Sequence, residues 1–179
     1  MAQFYLIKHG KTDYKTCYEK GYIGYEKDLA SLSVEGISQA LVTALDPRLK
    51  NADIIVSFPY TSALQTASII SEKINIDMAV EMDLDEWMSD LAFRYSAFEE
   101  YLELTKNFRY NKDYYPNGEE RLWEDLISLR NRVKKIADKY SHYNKVIIVC
   151  DGMFIRTLTH VKKIAPGEII ECYYEIEKN

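Results

Sequence analysis

The sequence Phe4-Tyr5-Leu6-Ile7-Lys8-His9-Gly10-Lys11-Thr12 begins with four apolar residues and ends in a polar turn. The apolar run is typical of a short buried strand. Gly10 has no Cβ, so the backbone can turn sharply there or approach a ligand closely. A histidine at the carboxyl end of a buried strand lies where open α/β sheets bind ligands, and imidazole suits nucleophilic or acid–base chemistry near neutral pH. By spacing alone, a histidine that merely caps the strand is the simpler interpretation.

The composition is that of an ordinary globular protein. The chain has 179 residues, of which 47% are hydrophobic and 28% charged, and residues 1–179 are expected to form one domain. The net charge of −5, with no basic stripe, argues against nucleic-acid binding. Three irregularly spaced cysteines indicate reduced thiols, and no apolar run is long enough for a membrane span. A cytoplasmic protein without a membrane partner is therefore expected.

Strand-like and helix-like segments alternate along the chain. Strands are predicted at 52–57, 76–80, 145–150 and 168–177, and helices at 33–46, 61–73, 91–108, 119–140 and 153–163. In the first helix, Ser33 is the expected N-cap, and the predicted inward face is Ile37, Ala40, Leu41, Ala44 and Leu45. The polar segment 11–31 has no clean period, so it is predicted to be a functional loop or partly disordered.

This alternation predicts an α/β fold, a three-layer sandwich in which helices flank a mostly parallel central sheet. Three predicted strand ends lead into turns, at Lys8-His9-Gly10, Ser57-Phe58-Pro59 and Cys150-Asp151-Gly152. Because the carboxyl ends of parallel strands share one edge of a sheet, the three turns should gather there. Several tyrosines in polar segments are either surface and loop packing or a binding wall beside the site: Tyr14, Tyr18, Tyr22, Tyr25, Tyr110, Tyr114 and Tyr115.

Six segments spread over almost the whole chain follow one another in the order of a known family. They are Leu6-Ile7-Lys8-His9-Gly10-Lys11-Thr12, Leu32-Ser33-x-x-Gly36-x-x-Gln39-Ala40, Ser57-Phe58-Pro59-x-x-Ser62-Ala63-x-Gln65-Thr66-Ala67, Asp85-Glu86-Trp87, Gly118-Glu119-Glu120 and Val149-Cys150-Asp151-Gly152-Met153-Phe154-Ile155-Arg156. Together they resemble the signatures of the histidine phosphatase superfamily, in its phosphoglycerate-mutase-like branch. The resemblance implies a phosphoglycerate-mutase-like fold, a small phosphorylated ligand and no cofactor or metal.

The resemblance also implies roles for particular residues. His9 would attack a phosphoryl group and become a phosphohistidine, and Glu86 would protonate the leaving oxygen. The family holds the phosphate with two arginines and a second histidine, and those positions are Lys8, Ser62 and Asp151 here. The remaining pocket positions are Gly10, Thr12, Gly152 and Arg156.

The three departures weaken the predicted phosphate pocket. Lys8 keeps the charge but loses the bidentate fork, Ser62 loses the charge, and Asp151 replaces a donor with an anion. An ionised Asp151 beside a phosphate oxygen costs about 4 kcal/mol per unit charge at an effective dielectric of about 20. A lost arginine fork adds about 1.5–3 kcal/mol. At ~1.4 kcal/mol per tenfold in rate, phosphoryl transfer should slow by several orders of magnitude.

Three functions follow from this pattern. The first is a family member with a degraded pocket, weak or inactive on phosphomonoesters, that binds a ligand or a partner. The second is an active phosphatase or mutase with a rearranged pocket, in which Lys8 and Arg156 hold phosphate and the pH optimum is acidic; Arg156 paired to Asp151 is the simpler arrangement. The third is a divalent metal site at His9, Glu86 and Asp151, which the spacing does not demand. The sequence indicates neither the substrate nor the oligomeric state.

Overall fold

The core of the fold is a five-stranded sheet. The structure, a computed structural model, describes residues 1–22, 24–92, 94, 96–111, 114–115 and 120–175, except the side chains of 25 and 98. The strand order is β3-β2-β4-β1-β5, and β5 alone runs antiparallel to its neighbour, β1. The strands are β1 (Ala2–Lys8), β2 (Ile54–Ser57), β3 (Met78–Val80), β4 (Lys145–Cys150) and β5 (Ile169–Tyr174). This sheet, flanked by helices, confirms the predicted fold class.

The two central strands bring the predicted site together. β1 and β4 pair in parallel, with Phe4 opposite Val146 and Lys8 opposite Cys150. Their aliphatic residues are fully buried, as expected for parallel strands covered on both faces. Both strands therefore end at the same edge, immediately before the His9 and Asp151 turns.

In the described ranges, six α-helices connect and cover the strands. They are α1 (Lys15–Lys20), α2 (Val34–Thr43), α3 (Thr61–Ile74), α4 (Phe98–Tyr110), α5 (Leu126–Tyr140) and α6 (Gly152–Leu158), with short 3-10 helices at Gly24–Leu29 and Pro47–Leu49. α3 packs on β2 and β4, and α6 packs on β1 and α5. None of the helices in the described ranges is long and apolar enough to cross a membrane.

The polar segment 11–31 is more ordered than predicted. It contains α1 and the Gly24–Leu29 helix, and its two ends are joined by a bridge between Thr12 and Leu32. The backbone N–H of Asp13 also donates to the carbonyl of Ser31 at 2.8 Å. These hydrogen bonds join residues that are far apart in the sequence. Local periodicity therefore could not predict that the segment is closed.

The inward face predicted for α2 is only half right. Ser33 caps the helix as expected, since its side chain accepts from Gly36 N–H at 3.0 Å, and Ala40 and Ala44 are buried. Ile37, Leu41 and Leu45, however, are 43%, 52% and 63% exposed. The buried face consists of small residues because the backbone of α2 lies against the turn that follows β1.

Three predicted helices differ most from the observed bounds. α5 begins at Leu126 rather than 119, because residues 122–124 pair with 88–91 through Leu91 N–H to Leu122 O (2.9 Å) and Glu124 N–H to Met88 O (2.8 Å). Asp125 caps the shortened helix by accepting from Ser128 N–H at 2.7 Å. α4 begins at Phe98 and α6 ends at Leu158, inside their predicted ranges. Gly118 and Glu119 of the fifth motif lie outside the described residues.

Candidate active site

The three strand-end turns meet at one edge of the sheet, as predicted. The backbone N–H of His9 donates to the carbonyl of Cys150 at 3.0 Å, and that of Phe58 donates to Val149 at 3.1 Å. These hydrogen bonds continue the β1–β4 and β2–β4 ladders past the strand ends. His9 and Asp151 are thereby fixed side by side, one residue beyond adjacent strands.

Gly10 is required by a close backbone approach. A Cβ on Gly10 would lie 2.5 Å from the carbonyl oxygen of Gly36 in α2. Its N–H donates to the Thr66 hydroxyl of α3 at 3.1 Å, so the turn is anchored to two helices. The residue after the histidine therefore has no room for a side chain, and the position of His9 is set by the backbone around it.

His9 is oriented through one of its ring nitrogens. Its Nδ1 lies 2.8 Å from the carbonyl oxygen of Gly10. Because a carbonyl only accepts, Nδ1 must carry the hydrogen, and Nε2 of the neutral ring keeps its lone pair. Burial lowers the pKa of His9, the nearby Lys8 charge adds to this, and the Gly10 hydrogen bond and Asp151 oppose it. The neutral imidazole is thus the favoured form, with Nε2 available as a nucleophile.

Glu86 is carried by a loop that is tied to α5. Arg132 donates to the carbonyls of Asp85 (2.7 Å) and Glu86 (3.1 Å), and its guanidinium also binds the buried carboxylate of Glu124 at 2.7 Å. The N–H of Glu86 donates to the Tyr60 hydroxyl at 3.2 Å. The acid-bearing loop is therefore held mainly through its backbone, which leaves the Glu86 side chain free to face the site.

The Glu86 carboxyl lines an open cleft and is exposed to solvent there. The protein around it still removes part of its hydration, and the negative charges of Asp151, Asp28 and Asp85 act in the same direction. Both effects raise the pKa of Glu86 above its ordinary value. A raised pKa is what a general acid requires.

Asp151 is only 3% exposed and caps α6. Its Oδ1 accepts from Phe154 N–H at 2.8 Å, whereas its buried Oδ2 receives no hydrogen bond from an N–H or hydroxyl group of the described residues. The simple sequence-based alternative, an ion pair between Arg156 and Asp151, is absent from the described part of the chain.

The other predicted pocket residues differ in their contacts and in their distance from the Asp151 turn. The guanidinium of Arg156 lies over Gly152, since a Cβ there would be 3.0 Å from Nη1. Lys8 Nζ donates to the Ile164 carbonyl at 3.2 Å. Ser62 is buried at the start of α3, and the buried Thr12 hydroxyl makes no hydrogen bond of ordinary geometry in the described part. Arg156 thus places a cation over the Asp151 turn, while Lys8 is already engaged with the Ile164 carbonyl.

A cleft of about 520 Å³ opens above Glu86 and Arg156. Its aromatic lining is Tyr14, Tyr18, Tyr60, Trp87, Tyr101 and Phe108. Tyr14 and Tyr18 therefore belong to a wall beside the site, as one sequence-based alternative held. The charged lining is Lys27, Asp28, Asp85, Glu86, Arg109 and Arg156. Burial, followed by the charge of Asp85 and against that of Lys27, raises the pKa of Asp28 to about 7.

Sequence reasoning missed Tyr60, Arg132, Asp28 and Arg109. Arg132 lies 46 residues from Glu86 in the sequence, in the middle of a predicted helix, and no local pattern marks it. Tyr60 precedes a helix and gave no signal beyond that boundary. Among the described residues, no group of three or more His, Cys, Asp or Glu side chains is arranged to hold a metal ion.

The family model of the histidine phosphatase superfamily (branch 1) matches residues 4–171. The chain therefore belongs to this superfamily. One curated relative, "Putative phosphoserine phosphatase 2" of Hydrogenobacter thermophilus, is 27% identical over 161 residues, which cover 85% of this chain and 74% of the relative.

Two solved structures with a similar fold are named as phosphatases. The mycobacterial glucosyl-3-phosphoglycerate phosphatase in complex with VO3 is similar with a TM-score of 0.70 and 16% identity, over 96% of this chain and 90% of that one. The putative alpha-ribazole-5'-P phosphatase of Escherichia coli has a TM-score of 0.61 and 17% identity, over 86% and 75%. At 16–17% identity, this likeness shows that the chains share a fold.

Proposed function

We propose that this chain slowly hydrolyses small phosphomonoesters through a phosphohistidine at His9, with Glu86 as the general acid. The observation that carries the proposal is the orientation of His9. Its Nδ1–H is bound to the Gly10 carbonyl, and its Nε2 therefore keeps a lone pair. A nucleophile held in one tautomer by the backbone is suited to in-line attack on phosphorus.

The chemistry proceeds in two steps. The Nε2 lone pair forms a bond to phosphorus as the P–O bond to the alcohol breaks, and the Glu86 proton moves to the leaving oxygen. A water molecule then attacks the phosphoryl group, the P–N bond breaks, and the Glu86 carboxylate accepts the proton from that water. His9 and protonated Glu86 are regenerated, so no cofactor is needed.

The charges around the site favour slow turnover and an acidic optimum. Arg156 supplies a guanidinium near the Asp151 turn, but Ser62 offers no charge where the family has arginine. A dianionic phosphate is repelled by the Glu86–Asp151 pair while that pair is negative. A second proton on the pair removes the repulsion, and turnover should therefore rise as the pH falls below neutrality.

A ligand-binding role without turnover is the second candidate. The observation that favours it is the buried Asp151 carboxylate, which lies beside His9 where the family has a phosphate donor. The aromatic cleft would then hold a ligand whose charge near Asp151 is neutral or positive.

Turnover of an aryl phosphate between about pH 5 and pH 8 separates the two functions. Wild type, His9→Asn and Glu86→Gln are compared, with His142→Asn as the control because His142 is exposed and contacts the backbone of Lys139. The phosphatase predicts measurable turnover that is lost in His9→Asn and unchanged in His142→Asn. Turnover that is absent at every pH, or equal in His9→Asn, contradicts it and favours the binding role.

A further inference from the structure

We infer that a second cavity, between α5 and α6, binds a small organic phosphate and that this ligand competes with the catalytic cleft for the guanidinium of Arg156. Neither His9 nor Glu86 lines this cavity. The binding site stands without the proposed function, whereas the effect of the ligand on turnover rests on it.

The cavity has a cationic side and an apolar side, and its volume is about 320 Å³. The cationic side consists of Arg130 on α5, Arg156 on α6 and His160, which follows α6. The apolar side consists of Leu126, Met153 and Leu158. The volume lies at the small end of the range for ligand sites. The lining thus suits a phosphate group that carries a small organic part.

No carboxylate among the described residues lines this cavity. The acidic groups at the start of α5 are already paired, Asp125 with Arg121 at 3.3 Å and Glu124 with Arg132 at 2.7 Å. The two arginines of the cavity, in contrast, form no ion pair within the described part of the chain. Cations that share a cavity repel one another, and a bound anion between them removes this repulsion.

The hydrogen-bond donors of the lining also favour an oxyanion. The hydroxyls of Thr157 and Thr159 donate to the carbonyls of Met153 and Ile155, at 2.8 Å each, so their protons are engaged. The other side-chain donors of the lining are the guanidinium and imidazole N–H groups. Arginine binds phosphate through two parallel N–H···O bonds, which a neutral ligand does not match.

Arg156 connects this cavity to the catalytic cleft, because it lines both. Its guanidinium lies over Gly152 at the start of α6, and its side chain is exposed, so it can turn to either side. A phosphate bound by Arg130 and His160 would hold it on the cavity side and take its N–H donors from the substrate. The ligand should therefore inhibit turnover.

Proton NMR tests binding without turnover, because the three histidines of the chain lie in different places. His160 reports on the cavity and His9 on the catalytic site, while the exposed His142 is the control. Their C–H signals, assigned with His→Asn variants, are followed at constant ionic strength during titration with phenylphosphonate or inorganic phosphate. Wild type is compared with Arg130→Gln and with Lys135→Gln, an exposed residue of α5 outside the cavity lining.

We predict a saturable shift of the His160 signal, an unchanged His142 signal, and tighter binding of phenylphosphonate than of inorganic phosphate. Binding should be about tenfold weaker in Arg130→Gln, the order expected for loss of one charged hydrogen-bonding group, and unchanged in Lys135→Gln. A shift of His9 alone, or a His160 shift that is equal in Arg130→Gln, overturns the site. Tighter binding of inorganic phosphate overturns the organic ligand.

The effect on turnover is measured as inhibition of aryl phosphate hydrolysis by phenylphosphonate, relative to each protein's own uninhibited rate. Half-inhibition should need several times more phenylphosphonate in Arg130→Gln than in wild type or Lys135→Gln. Equal half-inhibition in all three overturns the competition for Arg156, even where the His160 shift supports the site. If no phosphomonoester is turned over, the proposed function fails, and the NMR titration alone decides on the site.

Discussion

At the scale of single residues, the site depends on backbone contacts that leave no room for side chains. Gly10 touches Gly36 across the turn, and the carbonyl of Gly10 sets the tautomer of His9. The same small region thus determines both the fold of the turn and the chemistry of the imidazole. A change at Gly10 should therefore affect stability and activity together.

We expect Gly10→Ala to destabilise the protein by about 1–3 kcal/mol, because the added Cβ would lie 2.5 Å from backbone oxygen that cannot move aside cheaply. Urea unfolding measures the loss. Gly152→Ala is the matched control, since the atoms nearest to its Cβ would be those of the Arg156 guanidinium, which can rotate away. Equal losses of stability in the two variants would contradict the assigned backbone contact.

At the scale of elements, Arg132 joins the acid-bearing loop to α5. Its side chain is 15% exposed, and its partner Glu124 is 3% exposed. The pair fixes the loop through three carbonyls, those of Asp83, Asp85 and Glu86. Precise placement of Glu86 consequently depends on a helix that contributes no residue to the reaction.

Arg132→Met should cost about 3–5 kcal/mol of stability, because it leaves Glu124 buried without its partner. Chemical denaturation measures this, and kcat should fall as the loop loses its anchors. Lys135→Met on the same helix, where the side chain is exposed, should change both quantities little. The additional change Glu124→Gln should recover part of the stability, and failure to recover any would show that the buried charge is not the cause.

The Gly24–Leu29 helix carries Asp28, whose pKa in the folded protein is raised to about 7 by burial first and then by Asp85. Because the pKa of Asp28 is raised in the folded state, its contribution to stability is fully present below its unfolded pKa of about 4. That contribution is lost as the pH rises through about 7. Asp28→Asn should therefore stabilise the protein near pH 8 by roughly 1–2 kcal/mol, after allowing for partial solvent exposure. Urea unfolding at about pH 4.5 and pH 8 tests this, and a stability difference that does not grow with pH would contradict it.

At the scale of the whole molecule, β1 and β4 form the most buried part of the sheet, and the outer segments contribute less to the core. Cys150 lies in β4 with no exposed surface, and burial raises the pKa of its thiol well above the ordinary value. Cys17 is also buried, but in α1, outside the main hydrophobic cluster. The cysteines therefore report on opening of different parts of the fold.

Thiol labelling followed by peptide mass spectrometry should modify Cys172 and Cys17 before Cys150. Cys172 is partly exposed, and Cys17 needs only local opening of α1, whereas Cys150 needs global unfolding. The labelling rate of Cys150 should rise with urea as steeply as global unfolding does. Labelling of Cys150 as fast as Cys172 under native conditions would contradict this order.

Local patterns predicted the parts of this molecule that are built locally. The strand–His9–Gly10 turn, the Ser33 cap and the apolar β4 each depend on neighbouring residues, and each was found. The predicted start of α5 was wrong because residues 122–124 pair with a distant loop. The predicted inward face of α2 was only half right because the contact between Gly10 and Gly36 selects which side of the helix is buried. Arg132 was missed for the same reason, since all its partners are remote except Glu124.

The central claim is that His9 Nε2 accepts a phosphoryl group, and trapping the intermediate tests it most directly. The protein is mixed with an aryl phosphate near pH 5, quenched in alkali, which preserves phosphohistidine, and digested for mass spectrometry. We predict one phosphoryl group on the peptide that contains His9, and none in His9→Asn. The labelled fraction is high if the phosphohistidine breaks down more slowly than it forms. Turnover without phosphoryl label on His9, or label at another residue that persists in His9→Asn, would contradict the account.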